Sequence, residues 1–169
     1  MKYLLTIALA CFFCGILFAQ SENQPTMETW NYPYEVHTLA LDDTTTIAYV
    51  DEGEGSKTLL FVHGLGSYLR AWDKNISVLS KDYRCIAVDL PGYGKSSKGN
   101  YAFDMQFFAQ ALQQFIQQLD LKEITLVGHS MGGQIAMHVV LDEVAAVEKL
   151  VLLAPAGFEV FTDQEKAWF

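Results

Sequence analysis

Four short, almost uninterrupted apolar runs recur along the chain, and stretches with helical spacing lie between them. The runs are Leu59–Val62, Cys85–Val88, Ile124–Val127 and Leu150–Leu153. Strands buried on both faces have this composition, and they occur in parallel sheets that are covered by helices. Helices are predicted at 69–79, 103–119 and 133–141, where apolar residues recur every three to four positions. The alternation of strand and helix predicts a doubly wound α/β fold.

The segment before the first apolar run has a different pattern. Residues 36–41 and 46–50 alternate apolar with polar side chains, and Asp42-Asp43-Thr44 separates them. This alternation predicts an antiparallel hairpin with one solvated face, placed before the mostly parallel sheet. Residues 20–35 are polar and aromatic and include two prolines, so we expect a linker that settles onto the domain.

The first 19 residues have the pattern of a secretory signal peptide. Lys2 precedes an uncharged stretch, Leu4–Phe18, and the small residue Ala19 follows it. This stretch is shorter than the ~20 residues that a membrane-spanning helix needs. We therefore expect cleavage after Ala19, export to the periplasm or the medium, and no stable membrane span. An uncleaved anchor and lipid attachment at Cys11 or Cys14 are the weaker alternatives.

Charge and composition exclude several classes of partner. The chain has 20 acidic and 11 basic residues, a net charge of −9, and no run of five basic residues. Nucleic-acid binding depends on clustered Lys and Arg, so we expect no nucleic-acid partner. The loop at 89–96 fits neither G-x-G-x-x-G nor G-x-x-x-x-G-K-[ST]. Because His and Cys are few and scattered, we also expect no metal and no cofactor.

The sequence Gly128-His129-Ser130-Met131-Gly132 lies where a predicted strand runs directly into a predicted helix. A G-x-S-x-G motif in this context indicates a nucleophile elbow, a turn so tight that the serine adopts a strained backbone angle. A Cβ at either glycine would collide with the neighbouring strand or helix. The hydroxyl is then held at a helix N-terminus, where developing negative charge is favoured. The structural alternative is a Gly-rich turn whose serine only caps the helix.

A second motif, His63-Gly64-Leu65-Gly66, directly follows the first apolar run. Acyl transfer needs two backbone N–H donors aimed at the carbonyl oxygen that becomes negative. The amide of Met131, the residue after the serine, is one candidate. The amide of Leu65 is the second, because the flanking glycines let the backbone turn inward. A plain strand-to-helix turn is the alternative.

Three separated motifs occur in a fixed order on the predicted elements: HGLG at 63–66, DLPGYGKS at 89–96 and GHSMGG at 128–133. On these motifs the sequence from about Val36 to Gly157 resembles the α/β-hydrolase superfamily, in its branch of esterase-like members with a mobile cap. The core would then be residues 36–157, and residues 158–169 resemble the entry into a cap.

The resemblance implies specific roles. Ser130 would be the nucleophile, the Leu65 and Met131 amides would form the oxyanion hole, and the substrate would be a small ester or related acyl compound. Dehalogenases and epoxide hydrolases of this fold carry aspartate at the elbow, so the serine speaks against both. Asp89 and Ser96 are interpreted as residues that brace their loop.

The family orders its triad as serine, acid, histidine, and the second and third members are not found. His138 follows Ser130 by eight helical positions, about 12 Å at 1.5 Å per residue, which is too far for a general base. His63 and His129 are expected to be loop or packing residues, although His63 stays a remote candidate for the base. His37 lies on the hairpin.

The acid is missing as well, because Ala154-Pro155-Ala156-Gly157 follows the last predicted strand. Asp142 lies on the wrong side of the helix, and Asp163 lies in the C-terminal tail. We therefore expect the sequence to be the N-terminal part of a longer protein, with the base and acid beyond Phe169. Hydrolysis by these 169 residues alone should be nearly absent, since an unactivated serine is a poor nucleophile.

The same front half also suits other functions. A cofactor-free haloperoxidase, a C–C hydrolase or an acyltransferase of this fold would use the same serine. A non-catalytic binding protein would keep the fold and lack the triad. The fold does not decide among them, because function depends on the site.

Overall fold

The computed structural model describes residues 31–158, which form a six-stranded sheet with helices against it. The strands are β1 His37–Ala40, β2 Thr46–Glu52, β3 Thr58–Val62, β4 Arg84–Asp89, β5 Ile124–His129 and β6 Val147–Leu153. The helices are a 3-10 helix Leu69–Trp72, α1 Asp73–Leu79, α2 Met105–Gln118 and α3 Met131–Leu141. The predicted signal peptide, residues 20–30 of the linker and residues 159–169 of the cap region lie outside the described residues.

The strands lie in the order β1-β2-β4-β3-β5-β6. The β1–β2 hairpin is antiparallel, with Leu39 opposite Ile47, and β2 is antiparallel to β4. The remaining neighbours, β4–β3, β3–β5 and β5–β6, are parallel. The predicted hairpin ahead of a parallel sheet is therefore confirmed. This order places β3 between β4 and β5. The loop after β3 therefore lies between the motif at 89–96, which follows β4, and the motif at 128–133, which follows β5.

Alternate side chains of the central strands pack against different helices. Leu60 and Val62 belong to a core that includes Phe108 of α2 and Ile135 of α3. Phe61 points to the other face, where its ring centroid lies 5.0 Å from that of Trp72. Helices thus cover both faces, and the doubly wound prediction is confirmed.

One predicted helix begins later than its periodicity indicated. Residue Phe103 has a φ of 53°, which a helix cannot accommodate. The carboxylate of Asp104 accepts a hydrogen bond of 2.7 Å from the Phe107 N–H, and this cap fixes the start of α2 at Met105.

The prediction that the last apolar run is buried on both faces is wrong. In β6, Val151 is 40% and Leu153 is 42% exposed, whereas Leu150 packs against the core. Among the described residues β6 has only β5 as a strand neighbour. Its apolar composition identifies a strand, but one strand neighbour leaves the outer edge and one face accessible.

Candidate active site

Ser130 lies at the junction between β5 and α3 and adopts a backbone conformation that is rare for a residue with a side chain. Its φ is 52° and its ψ is −121°. Such a conformation costs on the order of 1–3 kcal/mol and persists only where the surroundings impose it. The strained serine expected from the motif is therefore confirmed.

Backbone hydrogen bonds hold the elbow in this conformation. The Ser130 N–H donates to the Leu153 carbonyl (3.1 Å), and the Ser130 carbonyl accepts from Gly133 (2.9 Å), Gln134 (3.2 Å) and Ala156 (3.0 Å). Leu153 and Ala156 lie at and after the end of β6, outside the G-x-S-x-G motif. The motif therefore does not predict these two hydrogen bonds. Within residues 31–158 the Ser130 hydroxyl has no hydrogen-bond partner, and the residue is partly exposed.

Close backbone approach explains the two glycines of the elbow. A Cβ on Gly128 would lie 2.5 Å from the Gly132 carbonyl oxygen, and a Cβ on Gly132 would lie 2.4 Å from the carbonyl oxygens of Val62 and His63. Real Cβ atoms do not approach this closely. A side chain at either position would therefore collide with the backbone, as expected from the sequence. Gly132 thereby lets α3 begin directly against the end of β3.

The loop after β3 turns back against the elbow. The Ser67 N–H donates to the Gly64 carbonyl (3.2 Å), and Gly66 has a φ of +66°, as a type II turn requires at its third residue. A Cβ on Gly64 would lie only 3.1 Å from the Ser130 Cβ, so the two predicted motifs are in contact. Leu65, at the tip of the turn, has an exposed side chain.

The Met131 amide belongs to the first turn of α3, whose N–H groups lack intrahelical acceptors. It directly follows Ser130 and is a donor of the kind that an oxyanion needs.

His63 is fully buried, and both of its ring nitrogens are occupied. Nε2 accepts a hydrogen bond from the Leu90 N–H (3.1 Å), and Nδ1 lies 2.8 Å from the Gly64 carbonyl oxygen. These partners fix the neutral tautomer with a proton on Nδ1. Burial lowers the pKa of His63, which also favours the neutral ring. His63 thus acts as a structural link, and it is not the base.

The other three histidines do not reach the serine hydroxyl either. His129 precedes Ser130 and is exposed, with its Nδ1 against Gly64. His138 lies in the last turn of α3, at the opposite end of the helix from Ser130. The ring of His37, on β1, packs 5.4 Å from that of Tyr49.

Asp89, at the end of β4, is fully buried and braces the loop that follows it, as predicted. Its carboxylate accepts hydrogen bonds from the N–H groups of Leu69 (2.7 Å) and Lys95 (2.7 Å) and from the Tyr32 hydroxyl (2.8 Å). The Ser96 hydroxyl donates to the Asp89 carbonyl (2.5 Å). No local pattern around either residue predicts the Tyr32 contact, which joins residues 57 positions apart.

Within residues 31–158 no carboxylate is hydrogen-bonded to Ser130. Residues 154–157 carry none, and Asp142, at the far end of α3, accepts from Gln113 Nε2 (2.7 Å). Asp163 lies outside the described residues.

In the described part of the chain no three His, Cys, Asp or Glu side chains converge in a metal-binding arrangement. Burial raises the pKa of Cys85 to about 11, which keeps it a thiol. No helix between residues 31 and 158 has the length and apolar character needed to span a membrane.

Comparison with known proteins identifies relatives of this arrangement. A family model described as alpha/beta hydrolase fold matches residues 57–169. The dihydrolipoyllysine-residue acetyltransferase component of the acetoin cleaving system of Cupriavidus necator is 34% identical over 116 residues, which are 69% of this chain and 31% of that protein. The (E)-2-((N-methylformamido)methylene)succinate hydrolase of Acinetobacter baylyi is also 34% identical over 116 residues, 69% of this chain and 44% of that protein.

Among solved structures, a bromoperoxidase from Bacillus anthracis superposes with a TM-score of 0.70 at 28% identity, covering 78% of this chain and 49% of that one. The chain thus spans less than half the length of these relatives.

Proposed function

The chain belongs to the α/β-hydrolase fold family, and on that premise we propose that it carries the nucleophile and oxyanion hole of a serine hydrolase acting on a carboxylic ester or related acyl bond. The observation that carries the proposal is Ser130, held at a φ of 52° by four backbone hydrogen bonds, while no residue between 31 and 158 is hydrogen-bonded to its hydroxyl. Strain of this kind clusters at active sites.

In the proposed reaction, Ser130 Oγ attacks the acyl carbon while a base removes its proton. The carbonyl oxygen becomes an oxyanion that accepts hydrogen bonds from the Met131 and Leu65 amides. Collapse of this intermediate breaks the bond to the leaving group, which takes up the proton, and an acyl-serine remains. Water then attacks the acyl-serine, and the acid product and free serine are released.

We propose that the base and its acid partner are supplied by residues outside this sequence. All four histidines of the sequence lie in the described residues, and none reaches Ser130. The relatives are more than twice as long as the matched region, and further chain of that length has room for both groups.

The proposed nucleophile is tested by covalent labelling of the full-length protein with a fluorophosphonate probe. The tryptic peptide Glu123–Lys149 contains Ser130 as its only serine, so mass spectrometry assigns the label directly. We expect a label on this peptide in the wild type and in Ser67→Ala, which alters a nearby serine in the turn after β3. Ser130→Ala should carry none. An unlabelled wild-type peptide would contradict the proposal and favour a non-catalytic binding protein.

A transferase is the second candidate, because one relative is named as an acetyltransferase component. The same acyl-serine would then pass its acyl group to an alcohol or thiol in place of water. Product analysis with p-nitrophenyl acetate separates the two reactions. Free acetate in the presence of an added acceptor indicates hydrolysis, and an acetylated acceptor indicates transfer. Bromination of a phenol in the presence of peroxide and bromide would indicate a haloperoxidase.

We also propose that the protein is exported and that its leader is removed after Ala19. The support is the sequence pattern of residues 1–19. N-terminal sequencing of the protein from its source should begin at Gln20. A retained Met1 or a lipid on Cys11 or Cys14 would contradict this.

A further inference from the structure

The segment that precedes β1 contacts the end of β4 through one buried tyrosine. The Tyr32 ring is 7% exposed, and its hydroxyl donates to Asp89 Oδ2 at 2.8 Å. Its ring centroid lies 5.9 Å from that of Tyr68, and the Lys95 ammonium lies 4.5 Å from the same centroid. Burial and the Asp89 carboxylate raise the pKa of Tyr32 well above its ordinary value, so the phenol stays protonated and remains a donor.

Asp89 ties this tyrosine to the loop that carries Leu65, which is called here the oxyanion loop, residues 63–69. At the end of the loop the Leu69 N–H donates to Asp89 Oδ1 at 2.7 Å. Because the carboxylate is fully buried, its position depends on these donors, and water cannot replace one that is lost.

The start of the oxyanion loop is tied to the same place. The Leu90 N–H donates to His63 Nε2, so both ends of the loop are bonded to residues 89 and 90. Leu65 lies between these two attachments. The position of its amide therefore depends on where Asp89 is held.

We propose that Tyr32 is a positioning residue for the oxyanion loop: it fixes the Asp89 carboxylate, which in turn fixes the end of the loop that presents the Leu65 amide. The inference rests on the proposed function, because it gives the loop a role in catalysis. An oxyanion donor must lie about 2.7–3.1 Å from the developing charge, so a small displacement of the loop lowers the rate of acylation.

The test compares two matched variants of the full-length protein. Tyr32→Phe removes one hydroxyl and keeps the ring packing. Tyr34→Phe removes another hydroxyl of the same segment, one that donates to the Asp73 carbonyl at 3.1 Å and not to Asp89. Hydrogen–deuterium exchange of peptides covering residues 63–69 and kinetics with p-nitrophenyl acetate are measured for both.

We expect exchange in the oxyanion loop to be several-fold faster in Tyr32→Phe and unchanged in Tyr34→Phe. The kcat of Tyr32→Phe should fall about tenfold, less than the loss of a whole oxyanion donor, while its KM changes less than twofold. A general loss of stability would instead speed exchange throughout the protein, including peptides from α2.

Two outcomes would overturn the inference. Equal exchange in both variants would show that Tyr32 does not hold the loop, and faster exchange with an unchanged kcat would show that the loop needs no such support for catalysis. A wild-type Ser130 that is inert to the fluorophosphonate would instead overturn the proposed function, and with it the effect of Tyr32 on the rate. The exchange experiment would still decide whether Tyr32 holds the loop.

Discussion

An apolar strand leads to a polar residue at the carboxyl ends of both β4 and β5, but the surroundings of the two polar side chains differ. At the end of β4 the Asp89 side chain is fully buried and accepts three hydrogen bonds. At the end of β5 the hydrogen bonds go to the Ser130 backbone. The residue is partly exposed, and its hydroxyl has no partner among residues 31–158.

This difference separates a structural role from a chemical one. A carboxylate whose two oxygens both accept hydrogen bonds stabilises the loops around it, and because Asp89 is fully buried it is not accessible to a substrate. A rigid backbone that presents an unengaged hydroxyl is suited to attack. The loop after β3 contacts both ends, since its Gly64 lies against Ser130 and its Leu69 is bonded to Asp89.

The largest effect is expected from removing one backbone N–H in that loop. Leu65 is the second residue of the type II turn, where proline is well tolerated, so Leu65→Pro deletes the amide proton with the turn retained. We expect kcat to fall at least about a hundredfold. Leu65→Ala, which keeps the amide, should stay within about twofold because the Leu65 side chain is 74% exposed. Equal losses in the two variants would contradict the assignment of the Leu65 amide.

The next effect concerns stability at the end of β4. Asp89→Asn replaces an acceptor oxygen with an NH₂ group that faces buried donors, and we expect the free energy of unfolding to fall by about 2 kcal/mol. Asp142→Asn is the matched control, because among residues 31–158 that exposed carboxylate accepts only from Gln113, and it should cost less than about 0.5 kcal/mol. Urea denaturation measures both. Similar losses of unfolding free energy in the two variants would mean that the buried hydrogen bonds of Asp89 stabilise the fold no more than the exposed one of Asp142.

A smaller effect of opposite sign is expected at the elbow. Glycine tolerates the backbone conformation of Ser130, whereas alanine does not relieve it. Ser130→Gly should therefore be more stable than Ser130→Ala by about 1 kcal/mol, and neither should react with the fluorophosphonate. Melting temperatures of the two variants provide the measurement. If glycine gives no advantage, the elbow is not strained in solution.

The parts of this molecule that could be predicted from sequence are those with a local signal. Apolar runs identify β3, β4 and β5, helical periodicity identifies α2, and the spacing of Gly128, Ser130 and Gly132 predicts the strained turn. Each of these depends on neighbours within a few residues, so the pattern and the structure agree.

The rest depends on contacts between distant residues. Tyr32 meets Asp89 across 57 positions, and nothing near either residue signals the pairing. Among the described residues β6 has one strand neighbour, and this explains its exposure. Apolar composition alone does not indicate how many neighbours a strand has. For the same reason the local motif predicts Ser130, but it does not reveal that the end of β6 helps to hold it.

The smallest effect concerns pH and the histidine that joins the two loops. Burial lowers the pKa of His63 below its ordinary value of 6.5, so the unfolded chain binds the proton more readily than the folded protein. The stability that the neutral ring contributes is complete above about pH 6.5 and is lost progressively as the pH falls toward the folded pKa. Urea denaturation at pH 7.5, 6.5 and 5.5 should give a steeper decline for the wild type than for His63→Gln, which does not titrate there. Parallel declines would mean that other groups carry the pH dependence, and that His63 is not held neutral between Gly64 and Leu90.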